Sequence, residues 1–494
     1  MTSALFLALS LAASPAELFK DGDYPQAALA AAELQQDLAS GLDAQLVLGK
    51  SLYRLGLLHS SLAVFSKVLV NAPRTKHATK ALEWMLFISR KTPNKDLVLD
   101  EIARNAGSEL PERYRTEIQV LLARHHYAYG LSLDEAGHNA EGAASFAEVK
   151  RLARLIPRGD PFYASGKYLE GLTEFRDNKV PESAAALKEV LRSTDDTALR
   201  ELTFMQLGRA AYGARQERHA VAWYGKVQRG GPQWLDSLFE SSWASYRMGN
   251  DEQALGNLVT LSSPHFKNEY YPEAFIMRGV IYFENCRYPE ARAVVDELTR
   301  VYQPVLNKLD ALLKTSAEGG DFYDQLDEMG GASSSPTAVT EDVKRLIGSV
   351  KEVEAELDAI SGTAPAFSQS GLAQTLAEDL KQRRLDLRKK AGTLARRSFA
   401  SQSEDLKRLF VDGLRIKFDV KSLEKDLLEA KLNGKNKGAK LVDYDFPMEA
   451  GEDEEYWPLN DEYWRDELGT YLYTLTKGCA EHRTSVPVAQ RASR

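Results

Sequence analysis

The chain has 494 residues, a formal net charge of -8 and 27% charged residues. A chain this long exceeds one compact core, so we expect several domains or a repeat array. The mildly acidic balance argues against a nucleic-acid partner, which would favour a basic surface.

The first residues have the pattern of a secretory signal. An apolar run from Ala4 to Ala13 is followed by Ser14, Pro15 and Ala16, although no Lys or Arg precedes it. The alternative is the first half of a repeat helix, which Pro15 would break. We expect residues 1–16 to be a signal peptide cleaved after Ala16, which would place the mature protein in the periplasm of a Gram-negative cell.

Neither a lipid anchor nor a membrane span is expected in the mature chain. No cysteine stands at the predicted cleavage site. No later stretch approaches the roughly 18 consecutive apolar residues that a transmembrane helix needs.

Residues 17–304 are predicted to form seven to eight helix pairs. A truncated pair at 16–40 is followed by a full copy at 42–73 and a degenerate pair at about 77–106. Further copies follow at 117–157, 164–194, 204–232, 235–264 and 272–304.

The copy at 204–232 shows the pattern most clearly. When Gly208 is numbered position 8, small residues fall at 8, 11 and 20 and bulky ones at 4, 7, 24 and 27, and Pro232 ends the unit. Positions 8 and 20 must be small because the helices cross there, and positions 24 and 27 are expected to fill the gap to the next unit. The pattern resembles the tetratricopeptide (TPR) repeat, a helix–turn–helix of about 34 residues. The resemblance implies an all-α superhelical solenoid with a concave groove.

The region after Pro304 differs from the repeats. Residues 305–339 are predicted to be a helix and a flexible linker, since Gly319-Gly320, Gly330-Gly331 and a Ser-Pro run interrupt them. Residues 340–432 then alternate apolar spacings of 3 and 4, the pattern of a heptad seam.

We interpret residues 340–432 as a helical hairpin or coiled-coil arm. Its first helix is capped by Thr340 and ends near Gly362, and the second spans about 371–432 with Gly413 as a weak point. A homodimeric coiled coil is the alternative. Residues 371–440 carry 18 Lys plus Arg against 10 Asp plus Glu.

Residues 433–479 are predicted to be an irregular acidic-aromatic docking segment, and 480–494 a disordered tail. Residues 441–467 hold 11 acidic residues and one basic residue. The aromatic residues indicate order, because a merely solvating acidic run contains few of them; the docking residues are Tyr456, Trp457, Tyr463 and Trp464.

Three roles for this segment remain open. It could dock in cis against the basic hairpin or in the Arg-bearing groove, or it could bind a partner. Calcium is the third alternative, although no spaced ligand set with a glycine turn is present.

The two cysteines, Cys286 and Cys479, could form a disulfide in an oxidising compartment or remain separate thiols. Two thiols cannot form a zinc site by themselves.

In a TPR array, fixed positions of each first helix line the groove. The resemblance places mainly aromatic and arginine residues there, which suits a peptide or protein ligand. The alternative is that several pack between helices. The predicted groove residues are Tyr53, Arg54, Tyr127, Tyr168, Phe175, Arg176, Arg209, Tyr212, Phe239, Trp243, Tyr246, Arg247 and Phe283.

The sequence lacks the common catalytic and nucleotide-binding motifs. It contains no GxSxG, HExxH, phosphate loop or GxGxxG. We therefore predict a protein that is not an enzyme and that needs no cofactor or metal.

The C-terminal string EYWPLNDEYWRDELGTYLY resembles one in secreted TPR proteins of gliding delta-proteobacteria, including the adventurous gliding motility family. The resemblance implies a periplasmic scaffold or adaptor in a trans-envelope motility complex, with envelope proteins as partners. The alternative is a peptidoglycan- or glycan-binding accessory factor of a cell-wall enzyme.

Overall fold

The computed structural model describes residues 13–34, 41–105, 110–315, 317–328, 339–432 and 462–475. No β-strand occurs in these ranges, and the predicted all-α fold is confirmed. The α-helices are α1 Pro15–Asp21, α2 Tyr24–Leu34, α3 Gly41–Arg54, α4 Leu58–Asn71, α5 Lys76–Ser89, α6 Lys95–Asn105, α7 Arg115–Glu135, α8 Asn139–Arg154, α9 Tyr163–Arg176, α10 Val180–Ser193, α11 Thr197–Gly213, α12 Glu217–Tyr224, α13 Trp234–Arg247, α14 Asp251–Leu261, α15 Pro272–Glu284, α16 Tyr288–Lys314, α17 Gly319–Glu328, α18 Glu341–Gly362, α19 Pro365–Ser368 and α20 Gly371–Leu432.

The chain divides into two compact units. Unit 1 contains α1–α10, α17–α19 and α20 up to residue 396. Unit 2 contains α11–α16, the rest of α20 and the C-terminal residues 462–475. In both units consecutive helices form TPR-like pairs.

A glycine in the first helix of a pair lies under a large side chain sixteen residues later. A Cβ atom added at these glycines would come within 3 Å of that side chain, so a larger residue would push the helices apart. The distances are 2.7 Å for Gly49 to Phe65, 2.8 Å for Gly130 to Phe146, 2.8 Å for Gly171 to Leu187 and 2.4 Å for Gly208 to Tyr224.

Position 20, the second small position of the repeat, also lies at the crossing of the two helices. The Ser61 hydroxyl donates to the Gly49 carbonyl at 2.8 Å, and Ser183 does the same to Gly171. In the pair α11–α12 a fully buried Ala220 takes this place. Tyr224, at position 24, contacts Gly208 of its own pair. The repeat pattern predicted only that position 24 fills the gap to the next pair.

The described N-terminal residues begin with a capped helix. Pro15 opens α1, where its missing N–H costs nothing. Ser14 and Glu17 cap each other's backbone N–H groups in a capping box. The apolar run lies mostly in residues 1–12, outside the described ranges, so the signal peptide remains a prediction.

In unit 1 the hairpin packs onto the first repeats. Apolar residues of α18, α19 and α20 share one core with α2, α3 and α4, so the seam predicted for a coiled coil is buried within the chain. Members of this shared core include Ala28, Leu48, Leu52, Val350, Val353, Ile360, Phe367 and Leu380.

A buried carboxylate fixes this packing. Helix α4 has no side-chain cap of its own at Leu57. The Glu356 carboxylate of α18 instead accepts the backbone N–H groups of His59 and Ser60, both at 2.8 Å. The negative charge also lies at the positive end of the helix dipole.

Part of the predicted linker is helical. Gly319 and Gly320 begin α17, which crosses α20 in unit 1. A Cβ atom added at Gly392 would lie 1.8 Å from the Gly319 carbonyl oxygen, so glycine permits the crossing. Residues 329–338, including the Ser-Pro run, lie outside the described ranges.

In unit 2 the last repeat does not end at Pro304. Helix α16 continues through this proline to Lys314. Val305, Leu306 and Leu309 extend the buried face. The burial of this face stabilises the helix beyond the proline, because tertiary packing contributes most of the stability of such helices.

The second part of α20 packs on the last pair of unit 2. Gly413, expected to be a weak point, permits close approach, since an added Cβ atom would lie 3.0 Å from Val295. Polar contacts flank it: Lys417 pairs with Asp296 at 2.6 Å and Arg292 with Glu424 at 3.1 Å.

Replacing Gly208 tests the helix crossing. We expect Gly208→Ala to lower the free energy of unfolding by about 1–2 kcal/mol, since the added methyl group would displace the buried Tyr224 ring. The matched control is Gly213→Ala in the same helix, where nothing lies within 4 Å. It should be neutral or stabilising by up to about 1 kcal/mol. Denaturant unfolding followed by circular dichroism measures both, and equal effects would contradict the proposed contact.

Replacing Glu356 tests the buried cap. Glu356→Ala leaves two N–H groups without their acceptor and should cost about 3 kcal/mol of stability. Glu354→Ala, two residues away on the same helix, removes a half-exposed carboxylate 3.8 Å from Arg384. Its effect should stay within about 0.5 kcal/mol. Urea titrations of the two variants would show similar midpoints if the cap were unimportant.

Candidate functional site

In unit 1 the predicted groove residues are half-buried, except Arg54, which is exposed. Tyr53 packs edge-on against Trp84 at 5.2 Å, and the Lys91 ammonium lies 4.3 Å from the Tyr53 ring. The aromatic side chains here therefore also contribute to packing between neighbouring helices, as the alternative interpretation anticipated.

Arg176 has partners within its own unit. Its guanidinium lies 4.3 Å from the Phe146 ring and 2.7 Å from Asp134. It also pairs with Asp177 at 3.0 Å. Burial acts to lower the pKa of Arg176, but the hydrogen bonds that it donates to these two carboxylates, with their charges, raise the pKa.

In unit 2 the predicted groove residues lie on the first helices α11, α13 and α15, and we call this set the aromatic face. The Arg247 guanidinium lies 4.1 Å from the Tyr212 ring and 2.6 Å from Glu217. Trp243 then contacts Tyr246 with ring centroids 6.4 Å apart. The aromatic face comprises Arg209, Tyr212, Phe239, Trp243, Tyr246, Arg247 and Phe283.

Hydrogen bonds link the aromatic face from one helix pair to the next. The Tyr246 hydroxyl donates to Glu284 at 3.0 Å, and its pKa is raised mainly by burial and then by the Glu284 charge. Arg209 forms a two-pronged pair with Glu240, with the shortest contact at 2.6 Å. These contacts hold the side chains in fixed positions across three helices.

Three of the four arginines of the predicted groove thus have carboxylates of their own chain as partners. Arg176, Arg209 and Arg247 each contact an Asp or Glu within 2.7 Å. A ligand carboxylate would have to replace one of these. The aromatic side chains are therefore the stronger candidates for ligand contact, and recognition of ligand carboxylates remains a prediction.

Sequence reasoning missed the acidic partners of the aromatic face. Glu240 lies 31 residues after Arg209, close to one repeat length. Glu284 lies 38 residues after Tyr246. A search for opposite charges about one repeat apart would have found the first pair, because equivalent positions of adjacent repeats lie side by side.

The C-terminal residues 462–475 dock on unit 2, and we call them the strip. The strip runs antiparallel to α14. The Gly469 N–H donates to the Thr260 hydroxyl at 2.9 Å, and the Tyr473 N–H to the Glu252 carbonyl at 3.1 Å. The Leu475 N–H donates to the Glu252 carboxylate at 3.2 Å.

Two glycines make this close approach possible. A Cβ atom added at Gly469 would lie 2.5 Å from the Trp234 ring, and Gly469 has φ +88°, which favours glycine. On the helix side, a Cβ atom added at Gly256 would lie 1.9 Å from the Tyr471 carbonyl oxygen. Leu468, next to Gly469, is buried in the same apolar cluster as Trp234.

The predicted docking residues contribute unequally to the strip. Tyr463 is half-buried against the apolar cluster, whereas Trp464 is 48% exposed. Tyr456 and Trp457 lie outside the described residues. The strip lies along α14, the second helix of its pair, and its hydrogen bonds to unit 2 do not involve residues of the aromatic face. Sequence reasoning missed Leu468, Gly469 and Tyr471.

Three arginines of the basic stretch 381–390 are engaged within unit 1. Arg383 donates to the Nδ1 atom of His59 at 3.1 Å, and burial lowers its pKa. Arg384 lies 3.8 Å from Glu354, and Arg388 pairs with Asp324. These side chains tie α20 to its neighbours.

Within the described ranges, no group of three or more His, Cys, Asp or Glu side chains could hold a metal ion. Across the same residues, no helix combines the length and apolar character needed to cross a membrane.

Cys286 lies in the turn between α15 and α16, with φ +59°, and is disulfide-bonded. The adjacent Asn285 donates to Asp251 at 2.8 Å, and the end of the strip contacts the neighbouring Glu252. Cys479, the other cysteine of the sequence, lies outside the described residues. The pairing of Cys286 with Cys479 therefore remains a prediction.

The pairing of Cys286 with Cys479 is directly testable. We expect the purified protein to have no free thiol and to yield a linked peptide containing both cysteines in non-reducing mass spectrometry. Cys479→Ser should release one thiol. Two free thiols in the wild-type protein would contradict the pairing.

Comparisons with known proteins leave the function of the chain open. No protein-family model matches the sequence, and no curated protein matches it. The human IFIT1 dimer with PPP-AAAA is 14% identical, with a TM-score of 0.32 over 76% of this chain and 81% of that chain. An IFIT1 monomeric mutant with Gppp-AAAA is 16% identical, with a TM-score of 0.29 over 75% of this chain and 79% of that chain. Likenesses this weak assign neither a family nor a ligand.

Proposed function

We propose that this protein is a non-enzymatic scaffold or adaptor that binds protein partners through the aromatic face. The observation that carries this proposal is the set of half-buried aromatic side chains on the first helices α11, α13 and α15. Tyrosine and tryptophan contribute large contact area at low entropic cost, which is why they dominate binding hot spots. The Arg247–Glu217 pair beside Tyr212 and the Tyr246–Glu284 hydrogen bond keep these side chains ordered before a partner arrives.

We further propose that the protein acts in the cell envelope. The apolar run from Ala4 to Ala13 supports export, and the disulfide of Cys286 fits an oxidising compartment. The C-terminal string from Tyr463 to Gly469, which resembles secreted TPR proteins of gliding bacteria, supports a role in a trans-envelope motility complex. Gliding motility is the process that we propose on this basis.

Affinity capture with matched variants tests the partner proposal. The full chain, expressed with its leader, is used to capture proteins from envelope extract, which are identified by mass spectrometry. Trp243→Ala on the aromatic face should weaken capture of the specific partners about 30-fold, the effect of losing a hot-spot tryptophan. Trp223→Ala, the same change on the second helix α12, serves as the control and should retain capture.

Circular dichroism must show that both tryptophan variants keep their helical content. Equal capture by Trp243→Ala and wild-type protein would contradict the proposed role of the aromatic face. If the chain binds isolated peptidoglycan and no envelope protein, the glycan-binding alternative replaces the scaffold. The mass of the N-terminal peptide of the exported protein tests export separately, since cleavage after Ala16 leaves Glu17 as the first residue.

A further inference from the structure

The contacts of the strip resemble those of a bound peptide more than those of a core element. In the described part of the strip, only the Leu468 side chain is buried. Tyr463, Tyr471 and Tyr473 add partly buried ring contacts. Most of the hydrogen bonds to the repeats use backbone groups of the strip: three N–H groups donate to Thr260 and Glu252, and the Arg465 carbonyl accepts from Arg229 at 2.7 Å. Residues 465–469 form turns. Backbone hydrogen bonds of this kind are a common way to hold a peptide ligand.

The surface under the strip is shaped for such a ligand. Gly256 leaves room for a backbone to pass within contact distance of α14. On one side Trp234 belongs to the apolar cluster that receives Leu468. On the other, the Tyr282 ring meets the Tyr473 ring at 5.9 Å. We call this surface, formed by Trp234, Gly256, Thr260, Glu252 and Tyr282, the α14 channel.

We propose that the α14 channel is a binding site for a peptide segment of a partner protein, and that the strip is its resident ligand. The required chemistry follows from the contacts. An apolar side chain fills the place of Leu468. The next residue must be glycine, because Trp234 and the positive φ exclude a side chain there. An aromatic side chain four residues after the glycine meets Tyr282.

This site is independent of the proposed function. The aromatic face lies on the first helices of the pairs, whereas the α14 channel centres on a second helix. A protein with both could bind one partner on the aromatic face while a second partner replaces the strip.

Fluorescence anisotropy with a labelled peptide of residues 462–475, EYWRDELGTYLYTL, tests the proposal. All proteins are the full chain carrying Cys479→Ser, so that no covalent bond can retain the strip. Adding Gly469→Val should displace the strip by a clash with Trp234. The labelled peptide should then bind with a Kd at least 10-fold lower than it does to the chain with Gly469.

Two controls define the binding site. Gly256→Val, added to the Gly469→Val chain, should abolish peptide binding because its side chain would occupy the path of the peptide backbone. A labelled peptide with valine in place of glycine should not bind any of the proteins. Absence of peptide binding to a folded Gly469→Val chain, or binding unaffected by Gly256→Val, would overturn the proposal.

A second measurement applies even if Gly469→Val prevents folding. In the chain with Gly469, excess unlabelled peptide should speed hydrogen exchange at the amides of Gly469 and Tyr473, because the strip is displaced. Unchanged exchange at saturating peptide would overturn the proposal. If light scattering shows a concentration-dependent dimer that Gly469→Val abolishes, the occupant is the strip of a second copy, and the proposed partner protein is wrong.

Discussion

The contact between a glycine and a large side chain sixteen residues later sets the spacing of the helix pairs. In α11 and α12 the Tyr224 ring lies against Gly208, and in α3 and α4 the Phe65 ring lies against Gly49. Because a Cβ atom has no room at these points, the two helices of a pair cross closely and bury the apolar residues around the crossing. The exposed positions of each first helix are then available for the aromatic side chains on which the proposed function depends.

Glycine also permits close approach where other segments contact the repeats. Gly413 brings α20 against Val295, Gly392 admits the start of α17, and Gly256 admits the strip. Charged groups then fix the approach, as the Glu356 carboxylate does at the start of α4. Such a buried charge is tolerated because two backbone N–H groups and the helix dipole compensate its lost hydration.

The aromatic face and the α14 channel differ in what maintains them. On the aromatic face the arginines are paired with carboxylates of the same chain, so the proposed binding of a partner depends on aromatic shape more than on charge. In the α14 channel a segment of the same chain occupies the proposed site.

The pattern of small and bulky residues by itself determined the helix pairs and the crossing at Gly208, because helix periodicity and the space at a crossing are local constraints. The heptad spacing likewise determined that α18 and α20 carry an apolar seam. Only the tertiary structure decided that repeats of the same chain cover this seam, that α16 continues through Pro304 and that the strip lies on α14. These outcomes depend on burial between residues distant in sequence, such as the 209 residues that separate Thr260 from Gly469. A periodic pattern marks an apolar face but does not specify the surface that covers it.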